Sequence, residues 1–76
     1  MVSKSDLDTW VLEAVTEIGG EVTPLAIAKH IWQNHAAEIE QSGDLFFTWQ
    51  YDARWAVQNL RRAGKLVKSN NKWAAK

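Results

Sequence analysis

The sequence predicts a mostly helical α+β fold, in which three helices precede a C-terminal β-hairpin. Apolar residues recur at helical spacing in three segments, glycine and proline signals separate these segments, and two short stretches flank an Asn-Asn pair near the end. The 76 residues leave room for one hydrophobic core of modest size. We therefore expect residues 1–76 to form a single domain.

The first helix is marked at both ends. Ser5 can cap its N-terminus, with Asp8 three residues further on. Gly19 and Gly20 can end it, because glycine readily adopts the left-handed conformation. The apolar residues that recur at helical spacing between these signals are Leu7, Trp10, Val11, Ala14, Val15 and Ile18. These residues are expected to face the core.

A second helix is predicted after a short extended link at residues 21–22. Thr23 is a capping residue, and Pro24 suits the first helical position, where its missing N–H costs no hydrogen bond. The expected buried stripe is Leu25, Ala28, Ile31 and Trp32. We expect this helix to run to about His35 or a few residues beyond, and residues 36–47 to form a loop anchored by apolar side chains.

The third helix is predicted to open at Asp44 or Thr48, after a turn signal at residues 42–44, and to reach Ala63, where Gly64 stops it. At about 100° per residue, its inward face consists of Trp49, Ala53, Ala56, Val57, Leu60 and Ala63. The opposite face consists of Tyr51, Arg54, Trp55, Gln58, Arg61 and Arg62.

A β-hairpin follows the third helix. Residues 65–69 and 72–75 are the predicted strands, and Asn70 and Asn71 suit a two-residue turn that needs positive φ. Residues 21–22 can add a third short strand beside the hairpin. Three helices and a hairpin in this order, with such a strand, are the winged-helix arrangement.

Composition excludes several classes of protein. Cysteine is absent, which rules out a disulfide scaffold and any zinc site with cysteine ligands. Apolar runs are only a few residues long, so neither a membrane span nor a signal peptide fits. We expect a cytoplasmic protein that is not associated with a membrane.

The net charge is zero, yet the charges are distributed unevenly. Residues 1–44 carry two lysines against eight acidic residues, whereas residues 45–76 carry seven basic residues against Asp52 alone. A charge dipole of this kind can orient a small domain toward a polyanion. The alternative is that the acidic and basic halves pair with each other across the fold.

The outward face of the third helix carries side chains that can hydrogen-bond base edges and phosphates of double-stranded DNA. Tyr51, Arg54 and Gln58 are expected to face bases in the major groove. The residues expected to contact the backbone or an adjacent groove are Arg61, Arg62, Lys65, Lys68, Asn70, Asn71 and Lys72. A solvated surface without a ligand is the alternative interpretation of the same residues.

Trp55 lies on the predicted outward face, where a large indole needs an explanation. It can pack under the hairpin or against Trp73, lie in a partner interface, or stack on nucleic acid. A second hypothesis is therefore a protein-interaction winged helix, whose partner is another protein or a second copy in a homodimer. Its apolar patch would consist of Phe46, Phe47, Trp49 and Trp55.

No arrangement of residues predicts catalysis, a cofactor or a metal. His30 and His35 are five residues apart on a helix, about 140° around its axis, which is too far for a metal-binding pair. The acidic residues Glu38, Glu40 and Asp44 are expected to form a solvated surface. Neither a Ser-His-carboxylate arrangement nor a glycine-rich phosphate loop is present. We expect a protein that is not an enzyme.

Residues 51–66 contain a Trp-Ala pair, a leucine four residues later and a basic Ala-Gly ending, and a tryptophan closes the hairpin. These residues are Trp55-Ala56, Leu60, Arg61-Arg62-Ala63-Gly64 and Trp73. Together with Gly19-Gly20 and the Thr23-Pro24 helix start, they resemble the N-terminal winged-helix domain of Mrr-type restriction proteins. The resemblance implies DNA binding in a modification-dependent restriction context, where this domain precedes a nuclease domain. It implies either a domain from such a protein or a free-standing regulator encoded by a phage or mobile element.

Overall fold

The computed structural model describes residues 4–76, and residues 1–3 of the predicted domain lie outside the described part. The elements are α1 (Lys4–Ile18), α2 (Pro24–Glu40), α3 (Leu45–Arg62), β1 (Leu66–Ser69) and β2 (Lys72–Ala75). This mostly helical α+β fold confirms the predicted fold class and is compatible with a winged-helix arrangement. Across residues 4–76, every helix is too short or too polar to traverse a bilayer.

α1 packs one face against both other helices. Its buried apolar residues are Leu7, Trp10, Val11, Ala14 and Val15, whereas Ile18, predicted to face the core, is exposed in the last turn. The helix already includes Lys4, so Ser5 lies in its first turn and not at the predicted cap position. At the other end, Gly19 and Gly20 have φ values of 78° and 63°, which confirms the predicted helix end.

At the predicted third strand, residues 21–22, the structure has an isolated antiparallel bridge between Val22 and Trp73 of β2, and the sheet itself has two strands. The Val22 N–H donates to the Trp73 carbonyl at 2.7 Å, and the Trp73 N–H donates to the Val22 carbonyl at 2.8 Å. Both side chains are buried. This pair therefore ties the link between α1 and α2 to the hairpin and fixes where the hairpin lies against the helices.

α2 begins where predicted but turns a different face to the core. Thr23 Oγ1 accepts a hydrogen bond from the Ala26 N–H at 3.1 Å, and Pro24 follows the cap. The buried residues of α2 are Ile27, Ile31 and Ile39. Of the predicted stripe, Ile31 is buried as expected, but Leu25 and Trp32 are exposed and that part of the prediction was wrong. Ile27 and Ile39 pack beside Ile31 in their place. Leu25 is consequently 65 % exposed.

Residues 36–47 are mostly helical, which corrects the predicted loop. α2 continues to Glu40 through a kink at His35, where φ is −132° and ψ is 17°. α3 already begins at Leu45, so only residues 41–44 connect the two helices. The Ser-Gly-Asp turn signal lies within this connection. Ile39 and Leu45 on either side of it reach the core as parts of helices, whereas Phe46 and Phe47 are exposed.

α3 follows Asp44, whose side chain makes no capping hydrogen bond. Its buried residues are Leu45, Trp49, Asp52, Ala53, Ala56, Val57 and Leu60. The predicted inward face is thus confirmed, except that Ala63 lies beyond the last turn and is exposed. Gly64 follows with a φ of 78° and ends the helix as predicted.

The hairpin has the predicted two-residue turn. Ser69 lies opposite Lys72, which leaves Asn70 and Asn71 between the strands. Asn70 has a φ of 57°, so positive φ is needed at the first turn position, where asparagine is tolerated. The turn directs the charged side chains of both strands toward solvent.

Candidate nucleic-acid interface

The outward face of α3 is presented to solvent, as predicted. Tyr51 is 62 % exposed and Trp55 is 53 % exposed. Arg54, Arg61 and Arg62 are exposed as well, and Gln58 on the same face is half-buried. The opposite face of α3 fills the core, so these side chains are held on a helix that packing keeps from rotating.

A cleft of about 270 Å³ separates α3 from the hairpin and brings predicted DNA contacts from both elements together. Arg54 and Gln58 line it from α3, and Lys68 and Asn71 line it from the hairpin. Trp73 forms part of the floor, with the Lys68 ammonium nitrogen 5.6 Å from the centroid of its ring. This cation–π contact holds a positive charge at the edge of the cleft.

A second cleft, of about 260 Å³, lies on the outward face of α3 itself. Its lining is Tyr51, Arg54, Trp55 and Gln58, so Arg54 and Gln58 belong to both clefts. The Tyr51 and Trp55 rings meet edge to face, with centroids 6.4 Å apart and planes at 66°. Tyr51, Arg54 and Gln58, the three residues predicted to face bases, therefore share one small surface.

The remaining predicted contacts lie outside both clefts. Arg61, Lys65, Asn70 and Lys72 are exposed around them. Arg62 is exposed too, and its guanidinium donates a hydrogen bond to Asn59 Oδ1 in the preceding turn. These residues are placed to reach a ligand that is larger than the clefts, such as a polymer that passes over them.

Asp52 is the one acidic residue in 45–76, and its side chain is only 7 % exposed. Thr48, one turn earlier on α3, donates its hydroxyl hydrogen to Asp52 Oδ2 at 2.9 Å. Every basic side chain in residues 45–76 is exposed. The accessible surface of this half therefore presents seven basic side chains and no accessible carboxylate side chain.

The burial of Asp52 was not predicted from the sequence. A signal for it existed, because Thr48 and Asp52 are four residues apart and so lie on neighbouring turns of one helix face. Asp52 also falls in register with Leu45, Trp49 and Ala56 on the inward side of α3. A buried carboxylate needs hydrogen-bond donors, and Thr48 supplies one.

The acidic half of the molecule forms its own polar contacts. His30 Nε2 lies 2.7 Å from Glu17 Oε2. His35 Nε2 lies 3.2 Å from Glu13 Oε1, and its Nδ1 lies 3.0 Å from Glu38 Oε1. In residues 5–76, no arginine or lysine of the basic half forms an ion pair with these carboxylates. These three carboxylates are therefore engaged within the acidic half and not by the basic half.

His30 and His35 contact carboxylates and a tryptophan ring, which is not the arrangement of a metal site. The His35 ring stacks on Trp10 of α1, with centroids 4.0 Å apart and planes at 9°. Its two nitrogens reach carboxylates on α1 and α2, so His35 joins these helices at the α2 kink. Within the described part of the chain, no group of three or more His, Asp or Glu residues could hold a metal ion.

The aromatic residues of the second hypothesis lie in different surroundings. Trp49 is buried and stacks on Trp32, with ring centroids 5.9 Å apart. Phe46 and Phe47 are exposed, and their rings meet edge to face at 5.1 Å. Trp55 is too exposed to lie under the hairpin or against Trp73, so that prediction was wrong, and its ring neighbour is Tyr51.

An apolar groove of about 570 Å³ runs between α2 and α3, away from the basic surface. Its lining is Leu25, Ala28, Lys29, Trp32, Gln33, Phe46, Trp49 and Gln50. The groove exists because α2 turns its isoleucine ridge to the core and leaves Leu25 and Trp32 outside. Its volume is about twice that of either cleft on the basic side of α3.

Comparison with protein-family models, with curated proteins and with solved structures found no match. The resemblance to the winged-helix domain of Mrr-type restriction proteins consequently stays a prediction. Function is therefore inferred from the fold, the two clefts and the distribution of charge.

Proposed function

We propose that this chain is a non-catalytic DNA-binding domain of the winged-helix type. In this proposal α3 enters the major groove of double-stranded DNA, and the hairpin lies along the phosphate backbone. The proposal needs no cofactor or metal. It is supported by the arrangement of charge and by the clefts that bring α3 and the hairpin together.

The burial of Asp52 is the single observation that carries the proposal. With this carboxylate removed from the surface, seven basic side chains remain exposed without an acidic side chain among them. Exposed cations without partners repel one another, and a polyanion relieves that repulsion while releasing its own counterions. DNA supplies this charge along a line that α3 and the hairpin can both follow.

The residues divide into two roles. Tyr51, Arg54 and Gln58 lie together in the cleft on α3 and are proposed to face base edges. The residues proposed to hold phosphates or the adjacent groove are Arg61, Arg62, Lys65, Lys68, Asn70, Asn71 and Lys72. Arginine and glutamine can each hydrogen-bond a base in two places, whereas lysine meets a phosphate as a point charge.

The salt dependence of binding tests the proposal. If about five phosphates are neutralised, the logarithm of the binding constant falls with the logarithm of salt concentration at a slope of about −4.5. Lys68→Ala removes one cation at the cleft and is expected to reduce the slope by about 1. The measurement is fluorescence anisotropy with a labelled duplex at several salt concentrations.

Lys29→Ala is the matched control. Lys29 lines the groove between α2 and α3, so the variant loses the same charge away from the proposed interface. Its slope is expected to equal that of the wild type. A slope near zero for the wild type, or equal slopes for both variants, would contradict the proposal.

The biological setting is proposed from the sequence alone. The resemblance of residues 51–66 to Mrr-type restriction proteins suggests a restriction-modification context, including one in a phage or mobile element. A DNA-binding role is consistent with a cytoplasmic protein. A duplex that carries modified bases is therefore a useful second probe in the anisotropy experiment.

Protein binding is the second candidate function, and the groove between α2 and α3 favours it. Leu25, Trp32 and Phe46 are exposed there, and apolar grooves between helices accept apolar side chains of a partner. This set replaces the predicted patch, because Trp49 is buried and Trp55 lies on the basic surface. Sedimentation of the wild type and of Leu25→Asp tests for a homodimer, which the substitution is expected to dissociate.

A further inference from the structure

The outward face of α3 carries a row of large aromatic side chains before its last two arginines. Phe47, Tyr51 and Trp55 recur every four residues and are 82 %, 62 % and 53 % exposed. We call these three residues the aromatic ridge. The ridge extends for about 12 Å along the first half of α3, at 1.5 Å per residue. Arg61 and Arg62 lie beyond it, in the last turn beside the hairpin.

The aromatic ridge is poorly matched to a continuous duplex. In the major groove, apolar contact is available only at thymine methyl groups, while the rest of the groove floor is polar. Unpaired bases offer flat apolar faces on which aromatic side chains stack, whatever the sequence. Because the Tyr51 and Trp55 planes are inclined at 66°, neither ring covers the face of the other.

The surroundings of the ridge favour nucleic acid over a protein partner. Arg54 and Gln58 line the same cleft as Tyr51 and Trp55, so cationic and hydrogen-bonding groups alternate with the rings. Asp52 of this helix is turned inward and contributes no accessible carboxylate. Alternation of aromatic and basic side chains is typical of surfaces that stack bases and follow a phosphate backbone.

We infer that the preferred ligand is DNA in which a duplex adjoins unpaired bases. In such DNA the aromatic ridge stacks on the unpaired bases, so Tyr51 meets a base face there in place of the base edge that a continuous duplex offers. Arg61, Arg62 and the hairpin hold phosphates of the adjoining duplex. This inference rests on the proposed function and names the class of DNA that the same surface takes. It explains why the Trp55 indole is exposed, which packing within the domain does not explain.

The test compares three labelled DNAs of one sequence: a blunt duplex, a single strand, and the duplex with a single-stranded overhang. Anisotropy is expected to show tightest binding to the overhang DNA. Trp55→Ala is expected to weaken that binding about tenfold, the range for loss of one stacked base. Because the side chain is uncharged, the salt slope stays unchanged, and Trp55→Phe restores most of the affinity.

Trp32→Ala is the matched control, since it makes the same chemical change at a partly exposed tryptophan of α2 that lines the groove between α2 and α3. It is expected to bind all three DNAs as the wild type does. If the blunt duplex or the single strand binds as tightly as the overhang DNA, or Trp55→Ala binds normally, the inference is overturned. Binding of the blunt duplex would still support the proposed function. Binding of none of the three would overturn both.

Discussion

The two halves of the molecule use their charges in opposite ways. In residues 1–44, carboxylates of Glu13, Glu17 and Glu38 face the rings of His30 and His35 across α1 and α2. In residues 45–76, the acidic residue is buried and the basic side chains stand in solvent without carboxylate partners. The net charge of zero therefore hides a difference between the halves. In residues 1–44 these carboxylates contact histidines, whereas in residues 45–76 the basic side chains are exposed and can meet a ligand.

Trp73 pairs with Val22 of the other half through its backbone and buries its indole in the core, and removing this indole should have the largest effect. Trp73→Ala removes a buried indole and is expected to lower the free energy of unfolding by about 3–5 kcal/mol. For a small domain this is a large part of its stability. Urea denaturation followed by circular dichroism measures the change.

Trp55→Ala makes the same chemical change at an exposed position and serves as the control. Its loss is expected to be about 1 kcal/mol or less, since surface substitutions have small effects. Equal losses for the two variants would show that the hairpin is not held by the Trp73 contact.

A carboxylate placed on the basic surface should lower the affinity for DNA, whereas one placed elsewhere should not. Gln58→Glu puts a negative charge where two clefts meet and is expected to weaken DNA binding by about 1–2 kcal/mol. Gln33→Glu makes the same change on α2, in the groove between α2 and α3, and is expected to have little effect. Anisotropy at low salt distinguishes them, and equal affinities of the two variants would place the binding surface elsewhere.

Thr23 caps the N-terminus of α2 and directly follows Val22, which pairs with Trp73. Thr23→Ala removes the oxygen that accepts the Ala26 N–H and is expected to cost about 1 kcal/mol of stability. Thr16→Ala, on the exposed side of α1, is the control and is expected to be neutral or slightly stabilising. Thermal unfolding of both variants checks this, and a neutral Thr23→Ala would mean that the cap does not stabilise α2.

The smallest expected effect is in the acidic half. Glu17→Gln removes the charge that faces His30 but leaves an amide that can still form a hydrogen bond. Because Glu17 is exposed, the free energy of unfolding should fall by about 0.5 kcal/mol or less. DNA affinity should remain that of the wild type. A marked change in affinity would show that the acidic half takes part in binding.

Local signals predicted most of the fold. The end of α1 at Gly19, the cap at Thr23 and the turn at Asn70 each depend on the conformation of one residue and its neighbours. The buried face of α2 does not, because Ile27 and Trp32 lie about 140° apart around the helix and packing decides which of the two is buried.

The candidate site, too, was predicted only where it depends on local signals and not on packing between elements. The period of α3 placed Tyr51, Arg54 and Gln58 on one exposed face, where the structure has them. Arg54 and Gln58 share a cleft with Lys68 and Asn71 because of where the hairpin packs against the helices. The Val22–Trp73 bridge determines that position. The burial of Asp52 depends on how the inward face of α3 packs against the core, and without that packing the charge contrast could be counted along the sequence but not located on the surface.

The most direct measurement of the central claim is an amide chemical-shift titration with a short duplex at low and at physiological salt. The claim predicts salt-sensitive shifts in α3 from Tyr51 to Arg62 and in the hairpin from Lys68 to Lys72. Residues of the acidic half, such as Glu17 and Glu38, should not shift. The absence of shifts at low salt, or shifts confined to Leu25, Trp32 and Phe46, would contradict the account and favour the groove between α2 and α3 as the binding surface.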